Sequence, residues 1–100
     1  MKLFIYSLVG CPWSLKSEGL LGKYGPNVIK VDQSEKDKFK KMNGMNTFPQ
    51  IFLEDDSKKL IKIGGYDATM KLLSDIFSKA SINYSDNDAT SLKNFFNNKK

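Results

Sequence analysis

The spacing of apolar positions changes along the first third of the chain. Leu3-Phe4-Ile5-Tyr6 is a short run rich in branched and aromatic side chains and predicts a strand over 2–6. Leu15, Leu20 and Leu21 then recur at roughly helical spacing and predict a helix over 12–24, which Gly25-Pro26-Asn27 breaks. Val28-Ile29-Lys30-Val31 predicts a strand over 27–32, and Asp32 or Ser34 caps a helix over 34–43. Strands are predicted over 50–54 and 59–63, joined by a turn at Glu54-Asp55-Asp56-Ser57, and a helix over 68–80. This βαβαββα order implies an α/β fold. A small mixed four-stranded sheet, parallel strands first and an antiparallel hairpin last, is flanked by helices. There is no internal repeat.

Residues 1–80 carry this pattern, and 81–100 follow as an extra C-terminal helix or tail. In that tail Ser85 or Asp86 can cap a short helix whose Leu92, Phe95 and Phe96 share one face. Packing on the domain is the common fate of such a stripe, and a partner-binding helix is the sharper alternative. The final Asn97-Asn98-Lys99-Lys100 is expected to fray.

At 100 residues the chain has room for one domain with a modest core. A single cysteine excludes a disulfide framework and fits a reducing compartment. The N-terminus shows a strand pattern rather than the apolar stretch of a signal peptide, and no run is long enough to span a membrane. A soluble, cytoplasmic monomer is therefore expected. All 16 basic residues are lysine, and the net charge is +5. They are dispersed, without stacking aromatic motifs or bidentate arginines, so nucleic acid is not an expected partner; a solvated surface that weakly attracts small anions is.

The one cysteine lies in Val9-Gly10-Cys11-Pro12-Trp13-Ser14, at a strand-to-helix junction. Gly10 permits the turn, and Pro12 suits the first helical position, where its missing N–H has no intrahelical partner to lose. Cys11 is then the expected N-cap, where unpaired N–H groups and the helix dipole favour a thiolate over a thiol. Ser14, one turn on, is placed to donate a hydrogen bond toward the sulfur but cannot attack a disulfide, so the site is monothiol. A solitary cysteine is by itself more often an inert small hydrophobe. The case for chemistry rests on the rest of the chain.

Two further segments face that junction. Thr47-Phe48-Pro49-Gln50 opens the strand Ile51-Phe52-Leu53, and its proline denies the ladder one N–H, which leaves the Phe48 backbone available to an extended ligand. Gly64-Gly65-Tyr66-Asp67 precedes the last core helix, with Asp67 as N-cap, and makes an anion site beside a carboxylate, a match for the zwitterionic end of an amino acid. Singly, a tight turn and an ordinary capped helix account for them.

Together, in this order, the three segments resemble the glutaredoxin family of the thioredoxin fold, over residues 2–80. Cys11-Pro12-Trp13-Ser14 looks like a mixture of the family's dithiol and monothiol active sites. Thr47-Phe48-Pro49-Gln50 looks like its cis-proline segment, and Gly64-Gly65-Tyr66-Asp67 like its glutathione-binding glycine pair with an acidic residue. The resemblance implies a glutathione-dependent oxidoreductase with Cys11 as nucleophile. Phe48 would pair its backbone with the cysteinyl part of glutathione, flanked by Thr47 and a cis Pro49. Gly65, Tyr66 and Asp67 would hold the γ-glutamyl end. Lys36, 13 residues before Pro49, would meet the glycine carboxylate, with Lys40 as the alternative. Pro12 and Trp13 would border the ligand, Trp13 as an exposed ring in place of the usual Tyr or Phe.

The resemblance further implies glutathionylated or disulfide-containing proteins as substrates, ribonucleotide reductase among them. Two departures bear on glutathione affinity: Leu8 stands where many members carry a basic residue, and Ala68 where dithiol members are often acidic. Three alternatives stay open. The protein could hold a glutathione-ligated 2Fe-2S cluster through Cys11, although Pro12 replaces the glycine of the cluster-binding class. It could be a dithiol enzyme with Ser14 in place of a second cysteine. It could also be a non-catalytic module that binds a peptide along the Phe48 edge.

Overall fold

A computed structural model describes residues 1–98. Four strands form one sheet: β1 (Lys2–Leu8), β2 (Asn27–Val31), β3 (Gln50–Glu54) and β4 (Leu60–Gly64), in spatial order β2-β1-β3-β4. β1 pairs parallel with β2 and antiparallel with β3, and β3 pairs antiparallel with β4. This is the mixed sheet that the element order predicts. Side chains alternate along β1, so Leu3, Ile5 and Ser7 are buried on one face while Phe4 and Tyr6 lie on the other. The first face meets helices α1 (Pro12–Leu21), α3 (Tyr66–Phe77) and α4 (Asp86–Asn97), which share one core cluster with it. The short α2 (Lys36–Asn43) buries none of its residues and reaches the second face through Phe39, whose ring lies 5.6 Å from that of Tyr6.

Several element ends differ from expectation, each for a local reason. The first helix stops at Leu21 and tightens into a 3-10 turn over Gly22–Tyr24, closed by Gly25 in the left-handed region at φ 65°. Leu15, expected on its apolar face, is 58% exposed. The inward positions are taken by Ser14 and Ser17, whose hydroxyls accept from Leu8 N–H at 3.1 Å and donate to Trp13 C=O at 3.0 Å. Gln33–Glu35 forms a separate 3-10 turn capped by Asp32, whose carboxylate accepts from the Ser34 N–H at 3.1 Å, and α2 starts after it. Hydrogen bonds from the Ser34 hydroxyl and N–H hold the exposed Asp32 carboxyl below its ordinary range. The third helix begins at Tyr66 rather than 68 and ends at Phe77, before Lys79 turns to φ 62°.

The tail packs, as its apolar stripe predicts. Ser85 caps α4, accepting from the Asp88 N–H at 3.3 Å, and Leu92, Phe95 and Phe96 enter the core. Phe96 stands edge-on to both Tyr24 and Phe95, with centroids 5.0 and 5.1 Å away. Lys59 pairs with Asp88 at 2.9 Å, and the Tyr84 hydroxyl donates to Lys62 C=O at 2.9 Å. Of the expected frayed end, Asn97 closes α4, and Lys99 and Lys100 lie outside the described residues. No helix among the described residues is long and apolar enough to cross a membrane.

Candidate active site

Cys11 sits where β1 hands over to α1. Gly10 makes the turn at φ 84°, and the Cys11 N–H donates back to Leu8 C=O at 3.1 Å. Cys11 is the N-cap, with an extended backbone (φ −93°, ψ 116°) and with no side-chain capping bond. Its C=O accepts the Leu15 N–H at 3.2 Å as the helix begins. The sulfur is therefore not spent on capping and lies at the end where first-turn N–H groups lack intrahelical partners. The loop is held on its far side by Gln33, which donates to Val9 C=O at 2.7 Å, and by a Val9 N–H to Val31 C=O bond of 2.9 Å.

Across from the sulfur lies the segment before β3. The Phe48–Pro49 bond is cis, and Phe48 C=O is 3.9 Å from Cys11 Sγ. Gln50 behind it is fully buried and ties the segment to the end of α2, accepting from Asn43 at 2.7 Å. The third wall is the β4–α3 junction. Gly64 has φ 122°, and a Cβ there would fall 2.9 Å from the Ala68 Cβ, so this turn and the close approach of α3 both require glycine. Gly65, not Asp67, is the N-cap. Its C=O accepts from both the N–H and the hydroxyl of Thr69, at 3.0 and 2.8 Å, which starts the helix two residues early and places Asp67 in the first turn.

Trp13, Thr47, Phe48, Pro49, Gly65, Tyr66, Asp67 and Ala68 line a cleft of about 290 Å³ between these segments. Seven of the eight are residues that the sequence pattern points to; the eighth, Ala68, enters the sequence reading as a departure from the family pattern. Trp13 is half exposed and packs on Tyr66, with ring centroids 5.4 Å apart. Two expectations place differently. Ser14 is fully buried, and its oxygen accepts from Leu8 N–H; among the described residues no hydrogen bond joins it to the Cys11 sulfur. Lys36 is exposed at the start of α2 and does not line the cleft, while Lys40 lies 3.9 Å from Asp37. Gln33, which steadies the cysteine loop from a distant segment, had no sequence signal.

Beneath the loop, Glu18 on α1 accepts from the buried Ser7 hydroxyl at 2.5 Å and pairs with Lys30 on β2 at 2.6 Å. The Lys30 ammonium first, and then the Ser7 hydroxyl, hold its carboxyl below the ordinary range. This network joins the end of β1, the helix that carries Cys11 and the neighbouring strand.

The glutaredoxin family model matches residues 3–57, a span that includes Cys11-Pro12-Trp13-Ser14 and Thr47-Phe48-Pro49-Gln50. The chain belongs to the glutaredoxin family. Glutaredoxin 1 of Rickettsia felis is 37% identical over 76 residues, covering 70% of this chain and 70% of its own. Glutaredoxin 1 of Rickettsia prowazekii is 37% identical over 78 residues, 70% of this chain and 75% of its own. An uncharacterised monothiol glutaredoxin of Caenorhabditis elegans is 32% identical over 76 residues, 68% of this chain and 49% of its own. Among solved structures, a Brucella melitensis glutaredoxin aligns with a TM-score of 0.54 at 27% identity, over 78% of this chain and 86% of that one. A buckwheat glutaredoxin in complex with glutathione aligns at a TM-score of 0.54 and 20% identity, over 73% and 68%, a likeness of fold. The glutaredoxin chain thus has the thioredoxin fold, and its family is one of thiol oxidoreductases.

Proposed function

We propose that this glutaredoxin reduces glutathione mixed disulfides by a one-cysteine cycle with glutathione as co-substrate. The observation that carries this reading is the position of Cys11. It is the only cysteine, it caps a helix without spending its sulfur, and it lies 3.9 Å from Phe48 C=O beside the cleft. The Cys11 thiolate is the nucleophile, at the end of α1 where first-turn N–H groups lack intrahelical partners. It attacks the glutathione sulfur of a mixed disulfide. The Cys11–glutathione disulfide forms, and the substrate leaves as a thiolate that takes up a proton. A glutathione thiolate then attacks the glutathione sulfur of that adduct, releases glutathione disulfide and returns Cys11 to its thiolate.

In this cycle the cleft residues bind and orient glutathione. The Phe48 backbone beside Pro49 pairs with its cysteinyl unit, an exposed Thr47 flanks it, and Trp13 covers its side next to Pro12. The N–H groups of Tyr66 and Asp67, beside Gly65, face the γ-glutamyl carboxylate, with the Asp67 carboxylate near the amine. Ser14, buried with its oxygen engaged by Leu8 N–H, keeps the helix start against β1 and takes no part in electron transfer. The Rickettsia relatives, matched over most of their length, support an oxidoreductase, and the monothiol nematode relative supports the one-cysteine cycle.

Intact-mass analysis after exposure to hydroxyethyl-glutathione disulfide tests the proposal. A single glutathione should appear on Cys11 and be discharged by free glutathione within seconds. An adduct that forms but resists discharge contradicts the cycle. No adduct removes Cys11 as nucleophile and favours a non-catalytic module.

A further inference from the structure

Three surface lysines pair closely with carboxylates: Lys30 meets Glu18, Lys59 meets Asp88 and Lys71 meets Asp75, all within 3 Å. Lys16 does not. Among the described residues it has no ion-pair partner, and its ammonium stands 4.5 Å from the centre of the Trp13 ring. Trp13 in turn leans on Tyr66 and forms a wall of the cleft while half of its surface stays open. A cation held on an indole face keeps its charge available while losing the freedom to wander. The cleft rim therefore presents an exposed aromatic platform, Trp13, two residues from the nucleophile in sequence, and over it the positive charge of Lys16, five residues from the nucleophile.

In-line displacement puts the leaving sulfur on the far side of the glutathione sulfur from Cys11. With glutathione in the cleft, the polypeptide bearing that sulfur must lie over the rim. An extended chain advances about 3.3 Å per residue, so positions within two of the modified cysteine come under the rim charge. The one carboxylate lining the cleft, Asp67, is assigned to the glutathione amine, and the neighbouring Ala68 adds no charge. We propose that Trp13 and Lys16 form the protein-recognition rim and select glutathionylated polypeptides carrying an acidic residue within two positions of the modified cysteine. This rests on the one-cysteine cycle proposed above. A rim charge of this kind acts on encounter rate and is screened by salt.

The test uses two pentapeptides with a central glutathionylated cysteine, flanked on both sides by Glu in one and by Lys in the other. kcat/KM is measured at low salt for the native protein, Lys16→Met and Lys16→Glu. The native protein should favour the Glu peptide about 1.4- to five-fold, the range for exposed charge pairs. The ratio should approach one in Lys16→Met, reverse in Lys16→Glu, and return to about one for the native protein in concentrated salt. An identical ratio in all three proteins overturns the proposal, as does a native preference that concentrated salt leaves intact. Turnover of hydroxyethyl-glutathione disulfide by the native protein separates the two levels. Its absence counts against the cycle itself, whereas its presence with an unmoved peptide ratio counts against the rim alone.

Discussion

Replacing Glu18 with alanine should cost stability chiefly through a residue it leaves behind. The Ser7 hydroxyl, 1% exposed as a residue, donates to Glu18 at 2.5 Å and would lose its acceptor inside the protein. Stranding a buried hydroxyl costs about 1–3 kcal/mol. The Lys30 pair, with the lysine side chain 55% exposed, adds only about 0.2–1 kcal/mol. A total near 2 kcal/mol lowers the melting midpoint by about 8–16 °C in a chain of this size. Glu18→Gln keeps an oxygen for Ser7 and should cost less than half as much. Ser7→Ala combined with Glu18→Ala removes the stranded hydroxyl and should cost less than the sum of the two single changes. The pH dependence follows from the depressed carboxyl. The folded form holds Glu18 below its ordinary value of 4.5, so its contribution is fully present above that value and is lost as pH falls through the folded one. Urea unfolding at pH 7 and pH 3 measures this. A Glu18→Ala loss below about 0.5 kcal/mol at pH 7, or a loss that is the same at pH 3, refutes the argument.

Other changes probe the remaining supports. Phe96→Ala removes a fully buried ring packed edge-on to Tyr24 and Phe95 and should cost about 3–5 kcal/mol in urea unfolding; a loss under 1 kcal/mol would mean that α4 does not share the core. Tyr24 is buried with a hydroxyl that has no hydrogen-bond partner among the described residues, so Tyr24→Phe should leave stability equal or higher, and a clear loss would reveal a missed partner. Burial also raises the Tyr24 hydroxyl above its ordinary 10.0, so the native protein should lose stability as pH climbs past that value, and the phenylalanine variant should lose less of it. Gly64→Ala forces a side chain onto φ 122° and against Ala68, and should cost about 1–3 kcal/mol and weaken glutathione binding in calorimetry; a fully active, equally stable variant would contradict the tight β4–α3 junction.

The strands were legible because short apolar runs bounded by turn residues have few other uses, and Leu3 and Ile5 against Phe4 and Tyr6 even divide the two faces. The cleft was legible through residues whose backbone roles are visible in their type: the Cys11 cap behind Gly10, the proline at 49 and the glycine pair before α3. Errors arose where a backbone contact overrode a side-chain signal. Asp67 is a good capping residue, but the Gly65 carbonyl collects two bonds from Thr69 and starts the helix earlier. Leu15 fits an apolar period, yet α1 turns Ser14 and Ser17 inward and leaves it in solvent. Ser14 faces Leu8 rather than the sulfur for the same reason. The Gln33 hold on Val9 joins segments 24 positions apart and leaves no mark in local pattern. The Lys16–Trp13 contact, three residues apart on one helix, was within reach of local spacing.

The central claim is that Cys11 alone, with glutathione, carries the chemistry. Turnover of hydroxyethyl-glutathione disulfide coupled to glutathione reductase, with Cys11→Ser as the blank, tests it most directly. Turnover by the native protein that is abolished in Cys11→Ser is the predicted result; equal rates in both proteins, or none in either, would contradict it.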